Sequence, residues 1–399
     1  MTSSTAARTR SIDHNVTEHP GPAPAGPDAG VHRPRNTAAS GTPSKPRDAL
    51  LDNAKFLLIT LVVLGHVVSP TEHGRIGSTV YVWIYVFHMP AFVLISGYLS
   101  RSMDGSARRI DKLLSTVAAP YLVFWSLYGL QAWWADRKVP DGLLEPVFLT
   151  WFLVALFVWR LTTPLWRRVR WPIPVAIAIS LVGGLTETGE ILGMSRIVSL
   201  LPFFVAGLYL EPRHFEYLKQ GWVRACSILV IPVTGAIAYL YLEPMSREWL
   251  YWRETLADRD FEVLPYGLPA RAVFMVLAFA LSLAVLSLIP RRRLWFTDLG
   301  AYTMYVFLWH GLVVRLAEQA GWYEFTAQVF NNRVGWALNA TLAVGLTFVL
   351  CSPWVRKATK WAVEPNLDWL LLRYRKPVAD VTAGAASRDG TNPPDHASR

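Results

Sequence analysis

Apolar runs long enough to cross, or nearly cross, a bilayer recur between residues 53 and 352, and no other feature of the chain limits its fold as much. Spans are expected near 53–70, 79–100, 114–134, 148–163, 172–186, 197–211, 223–242, 268–289, 300–317 and 335–352, about ten in all. Hydrocarbon offers backbone groups no water to bond, so such segments form helices. The expected class is therefore all-α: a polytopic integral membrane protein with about ten transmembrane helices. Several runs are shorter than ~20 residues, which implies tilt, local thinning or burial among other helices. Hydrophobic residues make up 52% of the chain, and 18 of its 399 residues are Trp, more than an ordinary soluble domain carries.

Charge sets the orientation. The net charge of +10 comes in short clusters between apolar runs, which argues for topology rather than nucleic-acid binding. Arg101, Arg108, Arg109 and Lys112 fall on one side. Arg167, Arg168 and Arg170 share it, as do Arg213, Lys219 and Arg224, then Arg291–Arg293, then Arg356, Lys357 and Lys360. The opposite loops carry fewer cations: Arg75, Arg137, Lys138, Arg196, Arg247, Arg253 and Arg259. With ten spans, both termini are placed in the cytoplasm.

Residues 1–46, with stretches such as "EHPGPAPAGPDAG", lack the apolar core of a signal peptide and read as a disordered cytoplasmic tail. The transmembrane domain is expected over 47–355, a cytoplasmic juxtamembrane segment over 356–377 and a second disordered tail over 378–399. Cys226 and Cys351 lie in apolar segments and are expected as free thiols. No spacing of HxxEH or CxxC type suggests a metal, and no GxxxxGK[ST] loop suggests nucleotide hydrolysis.

Ionisable side chains inside apolar runs are costly and usually functional. In "DNAKFLLITLVVLGH", Lys55 and His66 are eleven residues apart, about three helical turns, so they share a stripe roughly 16 Å long. Asp52 stands three residues before Lys55 and is spaced to pair with it. An uncharged imidazole at His66 would keep a lone pair for a proton, as a general base must. On these residues alone, a polar packing role for His66 is equally open.

In "FHMPAFVLISGYL", His88 lies near mid-span and Ser96-Gly97 towards the cytoplasmic end, where Gly97 would let a helix or a ligand approach closely. His88 either shares a cavity with His66 or supports the packing. His310, in "TMYVFLWHGLVV", either lines the acceptor side or packs. Arg101, Arg108, Arg109 and Lys112 suit phosphate binding, although such clusters also serve topology alone. Glu187 and Glu190, and the loop "EPMSREWLYWRETLADRDFEVLPYG" with Trp249, Tyr251 and Trp252, are expected outside, the rings more as an interfacial belt than as a sugar-stacking surface.

Together with "RRIDKLLSTVAAPYLVF", "WFLVALFVWRL" and "LPFFVAGLYL", these stretches resemble the membrane-bound acyltransferase 3 family, most closely its fucose 4-O-acetylase-like branch, over about residues 48–352. The resemblance implies a catalytic role for His66, with Lys55 as the basic residue that precedes it in the family's pattern. The family's basic pair maps onto Arg109 and Lys112. Many members have Arg at both places, and an ammonium lacks the bidentate fork.

The resemblance further implies transfer of an acyl group, usually acetyl, from cytoplasmic acyl-CoA to a hydroxyl of a sugar or other cell-envelope or exported acceptor. Taken with the residue readings above, the expected catalytic residues are His66, Lys55 and His88, and the expected donor-binding residues are Arg101, Arg108, Arg109 and Lys112. Asp52, Ser96 and His310 are expected at the substrate. The donor would be acetyl-CoA, with no metal; the partners would be the glycan acceptor and membrane lipids; the place would be the cell membrane. The rival class is a transporter or flippase of an envelope precursor whose intramembrane histidines relay protons. A structural component with buried polar contacts is a further alternative.

Overall fold

The computed structural model describes residues 48–71, 74–185, 191–241, 252 and 266–371. The stretches expected as tails, and Glu187, Glu190, Trp249 and Tyr251, lie outside the described residues. Among the described residues all regular structure is helical. The longer elements are α1 (Ala49–Val68), α2 (Arg75–Leu99), α3 (Ala107–Leu113), α4 (Ala119–Trp134), α5 (Trp151–Leu161), α6 (Pro172–Gly183) and α7 (Met194–Leu208). They continue as α8 (Gly221–Tyr241), α9 (Leu268–Leu288), α10 (Thr303–Gln319), α11 (Asn332–Cys351) and α12 (Pro353–Val363). A single π turn, Leu114–Ala118, joins α3 to α4.

Among the described residues six stretches are long and apolar enough to cross a membrane: α1, α2, the α3–α4 unit, α8, α9 and Arg333–Cys351 within α11. The apolar helices α5, α6 and α7 have only 11, 12 and 15 residues, and α10 has 17. At ~1.5 Å per residue none of these four reaches a ~30 Å hydrocarbon thickness. They coincide with spans expected from the sequence, but length and composition alone qualify six.

Local chemistry sets the helix starts. The Asp48 carboxylate accepts the Leu50 N–H at 2.9 Å and caps α1. Asn331 and Ser352 cap α11 and α12 in the same manner, with Pro353 at the first position of α12.

α2 is central, packing against α1, α7, α8 and α9. Its crossing with α7 is made by two glycines. A Cβ on Gly97 would overlap the Phe204 carbonyl oxygen, and one on Gly207 would overlap that of Leu94. Small residues of this kind let membrane helices touch backbone to backbone. By contrast, α8 turns Ile228, Leu229, Val233, Ile237 and Leu240 outward, as a helix on the lipid-facing rim would.

The first turn of α1 is clamped from the loop after α9. The fully buried Asn53 amide donates to the carbonyls of Pro290 (2.8 Å) and Arg292 (3.1 Å), and its oxygen accepts the Thr297 hydroxyl at 2.6 Å. Gly300 lies so close to the Asp52 carbonyl that a Cβ there would overlap it. Both cysteines are free thiols, Cys226 exposed and Cys351 buried. Trp252, expected in an interfacial belt, is instead 3% exposed and packed on Phe274 and Phe203, with ring centroids 4.9 and 5.7 Å away.

Candidate active site

His66 sits in the last turn of α1, at the end opposite Asp52 and Lys55. The ring is half-buried, and its contacts come from three parts of the chain. Phe148, in the loop before α5, lies at 5.3 Å between ring centroids; His310 of α10 lies at 5.5 Å; Tyr85 of α2 lies at 6.5 Å. Among the described residues neither nitrogen of the His66 ring is hydrogen-bonded. An imidazole so held is free to exchange a proton with a bound molecule.

The surrounding side chains are fixed by their own contacts. Phe148 adopts φ +52°, a left-handed conformation that is strained for a bulky residue and is often found at functional sites. Its ring touches Tyr128 at 5.9 Å and lies 4.3 Å beneath the Arg315 guanidinium. The Tyr128 hydroxyl donates to the Leu308 carbonyl at 3.2 Å, and Gly311 makes room for it, since a Cβ there would overlap the phenol oxygen. Arg196 lies over the Trp151 ring at 4.8 Å, and Arg315 pairs with Glu318 at 3.0 Å.

His310 is fully buried. Its Nδ1 is 2.8 Å from the Val306 carbonyl, while Nε2 is buried without a hydrogen-bond partner among the described residues. A carbonyl only accepts, so Nδ1 carries the hydrogen and Nε2 keeps the lone pair. His88 is held likewise, with Nδ1 2.9 Å from the Ile84 carbonyl. It reaches the site through Tyr85, whose ring meets it edge-on at 4.6 Å. The three histidines thus converge, with Tyr85 between His66 and His88.

Lys55 and Asp52 are not brought to His66. They pair with each other at 2.7 Å in the first turn of α1, as their spacing predicts. Ser96 is buried and donates back to the Phe92 carbonyl at 2.9 Å. Ser100 donates to the Ser96 carbonyl at 2.7 Å and accepts from Arg160 Nε of α5 at 3.2 Å, which ties this end of α2 to its neighbour.

The basic cluster divides. Arg101 donates to the carbonyls of Tyr98 and Leu210, both at 3.0 Å, and stacks on the Tyr98 ring. Arg109 bonds the Ser102 hydroxyl at 2.9 Å. Arg108 and Lys112, one turn apart on α3, are exposed and make no ion pair with another described residue. In the adjoining loop the Ser106 hydroxyl and backbone N–H hold the Asp104 carboxyl below its usual range. Among the described residues no three His, Cys, Asp or Glu side chains are grouped to hold a metal.

Sequence reasoning counted Arg196 among loop cations and passed over Arg315, Tyr85, Tyr128 and Phe148. The one usable signal was Arg315, a cation within the apolar run that follows His310.

A family model described as "Acyltransferase domain", that of acyltransferase 3, matches residues 48–354. The chain belongs to the acyltransferase 3 family. It is an O-acyltransferase, in keeping with the helical membrane architecture. Two relatives carry the name nodulation protein NolL. That of Sinorhizobium fredii is 27% identical over 327 residues, covering 73% of this chain and 86% of that protein. That of Mesorhizobium japonicum is 24% identical over 320 residues, covering 71% of this chain and 80% of that protein. No solved structure matches. Acyltransferase 3 proteins act on an acyl donor and an acceptor, so the site must admit both.

Proposed function

We propose that this acyltransferase is a multi-pass protein of the cell membrane, with about ten crossings and both termini cytoplasmic. It moves an acetyl group from cytoplasmic acetyl-CoA to a hydroxyl of a sugar or other envelope acceptor, with His66 as general base. The observation that carries this is the half-buried His66 ring, unbonded at both nitrogens and flanked by His310, Phe148 and Tyr85.

In the reaction, a free His66 nitrogen removes the acceptor proton as the oxygen attacks the thioester carbonyl. Arg315, over the Phe148 ring that meets His66, is the cation placed to favour the oxyanion that forms. Collapse breaks the C–S bond, and the leaving thiolate recovers the proton from His66. Arg108 and Lys112, exposed and one turn apart, suit the anionic nucleotide end of the donor, with Arg109 beside them. Lys55 and Asp52 serve as a paired anchor at the start of α1.

The test is mass spectrometry of envelope glycans and secreted metabolites from cells carrying the wild type or His66→Ala, alongside purified protein given labelled acetyl-CoA. A loss of one acetyl mass in the variant supports the proposal and names the acceptor. Proton-coupled substrate flux without thiol release would instead make the protein a carrier.

A further inference from the structure

We propose that His310 is a positioning residue for His66: its Nε2 lone pair accepts the N–H of the His66 ring and so presents the other His66 nitrogen, unprotonated, to the acceptor hydroxyl. This rests on the base role proposed above for His66.

Three observations carry it. First, the Val306 carbonyl at 2.8 Å holds the hydrogen of His310 on Nδ1, which leaves Nε2 able only to accept. Second, among the described residues Nε2 is buried with no partner, a state costly to an isolated polar atom and one that a site completed by movement or by substrate explains. Third, among the described residues the rings in contact with His310 are those of His66, at 5.5 Å, and Phe307, at 6.2 Å, and of these two His66 has a polar hydrogen to give. An N–H···N bond of ~3 Å between two imidazoles puts their centroids roughly 5 Å apart. The observed 5.5 Å therefore leaves room for that bond once the His66 ring turns a nitrogen to His310.

A neutral imidazole has one donor nitrogen and one acceptor nitrogen, and a base is productive only in the tautomer that turns the acceptor to the substrate. The Val306–His310–His66 series fixes that choice without a carboxylate. When the acceptor O–H bond breaks, its proton goes to the free His66 nitrogen and the new C–O bond forms. The N–H facing His310 strengthens its bond as the His66 ring becomes positive. When the C–S bond breaks, the electron pair goes to sulfur and the same proton leaves His66 for the thiolate. His310 gains and loses no proton overall.

The test compares wild type, His310→Leu and His310→Gln in proteoliposomes made with a glycolipid extract of the producing cells. The readout is thiol release from acetyl-CoA. His310→Leu should lower kcat about 100-fold, with the KM for acetyl-CoA within about threefold. His310→Gln, which offers an amide oxygen near the position of Nε2, should recover to within about tenfold of wild type. Equal kcat in His310→Leu and wild type overturns the inference while leaving acyl transfer intact; absence of acetyl-CoA-dependent thiol release in wild type removes the base role itself.

A second measurement needs no folded Leu variant. Nitrogen-15 NMR of histidine-labelled wild type in bilayers, assigned with His310→Gln, should show the His310 hydrogen on Nδ1 and an accepting Nε2. A hydrogen on Nε2 overturns the proposal whatever the activity.

Discussion

Gly65 and Tyr85 are in contact across the α1–α2 interface, and a Cβ on Gly65 would stand 2.8 Å from Cε2 of the tyrosine ring. Tyr85 is the ring between His66 and His88, so this contact sets the spacing of two histidines. Gly65→Ala should push the ring aside. The expected outcome is an acyl-transfer rate lower by about tenfold and a stability loss of about 1–3 kcal/mol, the usual cost of overpacking. Rate and thermal melting in the same detergent check it, and an unchanged rate would separate Tyr85 from the site.

His66→Ala removes the proposed proton acceptor. Acyl transfer should fall at least about 100-fold. Membrane insertion and the melting temperature should stay near those of wild type, since the ring is half-buried and makes no hydrogen bond among the described residues.

Arg108→Gln combined with Lys112→Gln should raise the KM for acetyl-CoA about tenfold at low salt and leave kcat unchanged, with the difference shrinking as ionic strength screens the charges. Arg101→Gln should behave differently. Its guanidinium holds the Leu210 and Tyr98 carbonyls, so the loss should appear as a lower melting temperature. Steady-state kinetics and melts on the two variants distinguish donor binding from packing.

Asn53→Ala should strand the Thr297 hydroxyl and two carbonyls in the buried turn that clamps α1, at a cost of about 1–3 kcal/mol. Asn53→Asp should be worse, because a carboxylate cannot donate to the carbonyls of Pro290 and Arg292. Melting curves rank the two, and equal stability of all three proteins would show that the clamp does not hold.

The helical class was legible because apolar runs in a chain of this length allow little else, and His66, His88 and His310 stood out as ionisable side chains inside such runs. The Asp52–Lys55 pair followed from helical spacing. Phe148 and Arg196 were not legible. Phe148 joins the site because the loop before α5 folds back against α1 and α10, and no periodic pattern records that return. Nor could spacing show that Arg101 spends its donors on backbone carbonyls.

The Asn53 clamp has a bearing on how substrates get in. It fastens the start of α1 to the segment leading into α10, while further along the same two helices bring the His66 and His310 rings together at 5.5 Å. The two helices are thus joined at both ends of α1. A way in for donor and acceptor that leaves these contacts intact runs along a different seam between helices.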